Sequence, residues 1–223
     1  MTSPGARDPA PAWGGDTALS RQNSIYRRTM AVCDELADAA LGGADPVRLT
    51  EVFARLVDKR IVLLDNAFRL RAQAGRPGSA RGLRWNRTDP SVDRLLRALE
   101  ASRRPLRIPA IPGSLLDEAC LVAPVVVRET SLGYLLVLDE ASTAAGYAQP
   151  DDAEFLTVTY AATLFALTLA HEQTSAELDL RYRSSVVDAL VSGHFQDPQD
   201  ARRKARSLGL RDDVPLRIAM LRP

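Results

Sequence analysis

The chain has 223 residues, a formal net charge of +1, 46% hydrophobic residues and 26% charged ones, a balance typical of globular proteins with no strong field to draw nucleic acid or a membrane onto the whole surface. Two cysteines, Cys33 and Cys120, with no C-x-x-C, exclude a disulfide framework and fit a reducing cytoplasm. Two isolated histidines, His171 and His194, without a carboxylate-rich motif exclude an expected metal centre, and the lack of G-x-S-x-G, P-loop and Ser-His-Asp spacing leaves no catalytic residue to name.

In chain order, Met1 to Asp16 is rich in Pro, Gly and Ala and lacks the basic start and apolar stretch of a signal peptide, so residues 1–19 are expected to be disordered. Ser20 to Leu41 reads as a helix stopped by Gly42-Gly43. A second helix is announced by Asp45-Pro46 and carries Leu49, Val52, Phe53, Leu56 and Val57 at spacings of three and four. Arg60 to Asp65 and Phe68 to Ala74 form a hairpin about Asn66-Ala67. The segment from Gly75 to Arg87 is an arginine-rich loop. Asp89-Pro90 opens a helix through Leu95, Leu96 and Leu99, and Leu106 to Pro109 is a short edge strand flanked by prolines. Leu121 to Val127 and Leu132 to Leu138 form a second hairpin, with Gly133 where a neighbouring backbone needs close approach.

From Asp151 to Ala170 the apolar residues go almost all the way round a helix, which implies burial against two surfaces, one a sheet and the other a second subunit. From Glu172 the pattern thins to one stripe, Leu178, Tyr182, Val186 and Leu190, with acid-before-base pairs four apart at Glu177/Arg181 and Asp179/Arg183. Gly193 stops this helix. Asp197-Pro198 starts a short basic helix closed by Gly209, and Leu216, Ile218 and Met220 alternate as a half-buried strand. No run approaches 18 uninterrupted apolar residues, so no membrane span is expected.

The order helix, helix, strand, strand, helix, strand, strand, strand, helix predicts an α+β fold: an antiparallel sheet flanked by helices, with a long C-terminal connecting helix. The hairpins "IVLLDNAFRLRAQAG" and "LVAPVVVRETSLGYLLVLDE" sit where a GAF domain has its first and last strand pairs, so the sheet resembles that fold. The order "AELDLRYRSSVVDALVSG", "DARRKARSLGL", "VPLRIAMLRP" is similar to the junction of PucR/CdaR-type bacterial transcriptional regulators. That resemblance implies a GAF-like sensor at 20–149, a connecting and dimerisation helix at 150–193, and the truncated start of a GGDEF-like domain without cyclase activity at 194–223. It further implies a cytoplasmic homodimer answering a small-molecule effector, with DNA gripped only by a helix-turn-helix outside this chain. The abundance of arginine, with Lys59 and Lys204 the only lysines, points to a high-GC bacterial genome.

Candidate ligand contacts follow from the GAF resemblance. Trp85 between Arg84 and Arg87 offers an aromatic face with flanking charge for a planar anion, or else plugs the edge of the core. Cys120 is either a pocket contact or a small buried hydrophobe. Phe165, Leu169, Leu178 and Tyr182 are the expected dimer positions. Arg103, Arg104 and Arg107, and Arg202, Arg203, Lys204 and Arg206, read as solvated faces. No cofactor is implied. An enzyme on a GAF scaffold, disfavoured by the scarcity of cysteine and histidine, and a ligand-free interaction module stand as the alternatives.

Overall fold

Three Asp-Pro pairs start three helices, and each works through the same hydrogen bonding. In the computed structural model, which describes residues 14–75, 89–110, 119–138 and 152–210, helix α2 (Pro46–Val57) begins where Asp45 Oδ1 accepts from Arg48 N at 2.7 Å. Helix α3 (Pro90–Ser102) begins where Asp89 Oδ1 accepts from Ser91 N at 2.8 Å, and α5 (Pro198–Ser207) where Asp197 Oδ1 accepts from Asp200 N at 2.7 Å. In each, proline occupies a first-turn position whose N–H has no intrahelical partner. Helix α1 (Gly14–Leu41) starts six residues before the predicted Ser20, so 14–19 is helical rather than outside the fold; residues 1–13 lie outside the described set.

Five strands form one antiparallel sheet in the order β2-β1-β5-β4-β3: β1 (Arg60–Asp65), β2 (Leu70–Ala74), β3 (Leu106–Ile108), β4 (Cys120–Val127) and β5 (Thr130–Leu138). Strands β1, β4 and β5 are nearly continuous apolar runs because helices cover both of their faces. Alternate residues therefore feed two separate cores. Ile61, Leu63, Leu121, Ala123, Leu135 and Val137 pack against Leu36 of α1, Leu49 and Phe53 of α2, and helix α4 (Asp152–Val191). Val62, Leu64, Val122, Tyr134, Leu136 and Leu138 pack against Val92, Leu96 and Leu99 of α3.

Gly133 does what its position predicts. A Cβ there would fall 2.1 Å from the Leu64 carbonyl oxygen, where β5 crosses β1. No side chain fits without moving backbone.

The chain divides into two units, Met1–Ala170 and His171–Pro223. In the first, α4 lays Val158, Ala161, Ala162, Phe165, Ala166 and Leu169 on the sheet, at the spacings of one helical face. In the second, the remaining turns of α4 are largely exposed apart from Val186, and α5 buries no residue fully. Tyr182 there donates to Ser207 Oγ at 3.4 Å. The predicted strand through Leu216, Ile218 and Met220 lies outside the described residues. An 18-residue stretch of α4 reaches a mean hydropathy of 1.5, apolar and long enough for a membrane by length and composition only; 44% of it is buried inside the fold. A helix covered by a sheet on one side has the same composition.

Candidate functional site

Strand pairing defines the α3 face of the sheet row by row, because paired residues in an antiparallel ladder point to the same side. The first row runs Arg60, Leu138, Cys120, Ile108 across β1, β5, β4 and β3. The second is Val62, Leu136, Val122, Leu106, and the third holds Leu64, Tyr134 and Pro124. Helix α3 closes the face with Val92, Leu96 and Leu99, all fully buried.

Two polar groups enter this apolar layer. Arg60 is buried at 4% exposure, in the same row as Cys120, which is 2% exposed. Tyr134 donates from its hydroxyl to Glu100 Oε1 on α3 at 3.2 Å, and its ring is roofed by Phe68 with centroids 4.7 Å apart. Phe68 sits at φ +63° in the β1–β2 turn, where Asp65 Oδ1 accepts from Ala67 N and Arg69 N, both at 2.8 Å. An aromatic residue in left-handed backbone is strained, and stacking on Tyr134 offsets that strain.

Cys120 is buried within this row, among the residues packed under α3. Trp85, Arg84 and Arg87 lie outside the described residues, so the candidate anion contact is not assembled among them. Cavities among the described residues lie at the edges of the sheet rather than under α3. One of about 260 Å³ is lined by Glu51, Arg55, Asp58 and Lys59 at the end of α2 with Ala74 and Gly75, and one of about 130 Å³ by Arg103, Pro124, Thr159 and Thr163 beside β4. Among the described residues no cluster of His, Cys, Asp and Glu could hold a metal ion. Cys33 on α1 is also buried, and its thiol is pushed up by that burial and, secondarily, by the charge of Asp34.

The opposite face carries α4, and here two sequence expectations change. Phe165 is fully buried and Leu169 is 5% exposed, both within the core against the sheet, so neither is available to a second subunit. The apolar residues that α4 leaves open in the first unit are Leu156, Tyr160 and Leu167, at 51%, 38% and 60% exposure. Leu178 and Tyr182, further along α4, are exposed at 60% and 55%. Sequence periodicity could not separate the two sides because both are apolar.

The second change concerns Arg107. It is no solvated surface residue: its side chain is 30% exposed and pairs through Nη2 with Glu154 Oε2 on the first turn of α4. Glu154 Oε1 accepts from Lys59 Nζ at 2.6 Å. Arg103 and Arg104 remain exposed, as expected, and so do Arg202, Arg203 and Arg206. On α5 the Lys204 ammonium, 3.0 Å from Asp200, holds that half-buried carboxyl below the usual range.

No family model matches the chain, and no curated protein matches it. Among solved structures it is similar to the GAF domain of a protein assigned as a sensor histidine kinase from Pseudomonas syringae pv. tomato, with 16% identity, a TM-score of 0.49, and coverage of 72% of this chain and 99% of that one. It is also similar to the GAF domains of phosphoenolpyruvate-protein phosphotransferases from Acinetobacter (14% identity, TM-score 0.48, 67% and 97% covered) and from Coxiella burnetii (12% identity, TM-score 0.49, 68% and 98% covered). With identities this low, function has to be argued from the residues.

Proposed function

We propose that this chain is the non-enzymatic, ligand-sensing and dimerising part of a cytoplasmic PucR/CdaR-like transcriptional regulator, with DNA contacted by a helix-turn-helix outside the chain. The observation that carries the reading is the two-sidedness of α4. One side is embedded in the sheet through Phe165 and Leu169, and the other presents Leu156, Tyr160 and Leu167 to solvent. A second copy of the chain, presenting the same stripe, would cover these residues in a self-complementary pairing. Leu178 and Tyr182 continue exposed apolar surface along the helix. An effector that favours one of two packings of α4 would shift the balance between them by its difference in affinity and no more.

The α3 face is the side on which the effector would act. A second reading is favoured by the same face: its described part is a packed apolar layer, which suits a ligand-free assembly module. Native mass spectrometry of freshly purified chain separates the two. A stoichiometric small molecule retained on the protein is expected from the sensor; a bare chain that also binds nothing from a library of small organic anions would leave the assembly module.

A further inference from the structure

We infer that the ion triad Lys59–Glu154–Arg107 is a latch by which the sheet holds the first turn of α4, and that this turn opens without unfolding the rest of the domain. The inference rests on the reading of α4 as the output helix.

The geometry is that of a brace. In the order β2-β1-β5-β4-β3, β1 and β3 are separated by two strands, so their backbones lie three spacings, about 14 Å, apart. Lys59, just before β1, and Arg107, in β3, reach toward each other from the two sides, and the single carboxylate of Glu154 takes one of them on each oxygen. Side-chain exposures of 28%, 23% and 30% make these pairs less screened than the surface pair Arg48–Glu51, at 67% and 50%. An acid in the first turn also suits the positive end of the helix.

The apolar grip is weakest where the triad acts. Among the described side chains of this turn only Ala153 is buried, with Phe155 half covered, whereas full packing begins at Val158 and Ala161. A turn held mainly by charge can open at less expense than the helix below it.

The latch is also tied to the opposite face. Lys59 precedes Arg60 and Arg107 precedes Ile108, and those two neighbours are the ends of the row containing Cys120. Side chains alternate across a strand. A displacement of that row on the α3 face therefore moves the two cations that hold Glu154 on the other.

Hydrogen exchange read by mass spectrometry on the full chain tests the latch. Glu154→Gln keeps the shape and removes the charge; amides in 153–160 are expected to exchange at least tenfold faster, with those of β4, β5 and α2 changed less than twofold. Lys59→Gln should act on the same peptide, and the double variant should exchange no faster than Glu154→Gln alone, because the three groups form one network. Unchanged exchange in 153–160, or an increase spread evenly over the domain, would overturn the inference. Should Glu154→Gln fail to fold by circular dichroism, the same readings are taken from Arg107→Gln. Light scattering on the same samples reports the dimer separately: a monomeric parent chain contradicts the proposed pairing, while the exchange pattern decides the latch.

Discussion

Phe68 holds a backbone conformation that glycine adopts freely, and it does so to roof Tyr134. Left-handed backbone costs a residue with a Cβ about 1–2 kcal/mol, and the stacking is worth about 0.5–1.5 kcal/mol beyond area burial. Phe68→Ala loses the ring and keeps the strain, whereas Phe68→Gly loses the ring and sheds it. Urea unfolding should therefore find Phe68→Ala the less stable of the two by about 1 kcal/mol; equal stabilities would mean that φ at this position carries no strain. Cys33 gives a pH dependence. Its folded thiol is held above the ordinary value of 9.0, so the unfolded chain ionises first and stability falls as pH rises past that value. Cys33→Ala should flatten the decline, measured as unfolding midpoints between pH 8 and 10, and an unaltered slope would place its origin elsewhere.

Helix α4 is where sequence and structure part company, and the reason is physical. The Asp-Pro caps at Asp45, Asp89 and Asp197 were legible because capping is local, settled by a side chain and the N–H groups two or three residues on. Gly133 was legible because a glycine inside an apolar strand gives up side-chain packing, which a close-lying backbone or a bulge makes necessary. The seam was not, since apolar residues around the whole helix do not say which side the sheet takes. Nor was Glu154, whose partners lie 95 and 47 residues away. The segment with Arg84, Trp85 and Arg87 lies outside the described residues, which leaves the ligand contact as the sequence had it. Two substitutions on α4 separate the sides. Phe165→Glu buries an uncompensated charge in the core and should abolish cooperative unfolding. Leu167→Glu meets solvent, so it should keep the far-ultraviolet spectrum and lose the dimer; a Leu167→Glu chain of unchanged mass would put the seam away from this stripe.

At the scale of the whole molecule, the α+β sheet has one face under α3 and the other under α1, α2 and the first-unit turns of α4. On the proposed reading, the α3 face is the layer where a ligand biases packing and α4 is the element on which that bias acts. Pairing of two chains along α4 would turn a small change in helix packing into a change in how attached domains are presented, because packed interfaces switch between discrete arrangements rather than deform continuously. The measurement that bears most directly on this is the mass of the parent chain by size-exclusion chromatography with light scattering at tens of micromolar. Twice the 24.3 kDa of one chain is the expected result, and a single-chain mass at that concentration would contradict it.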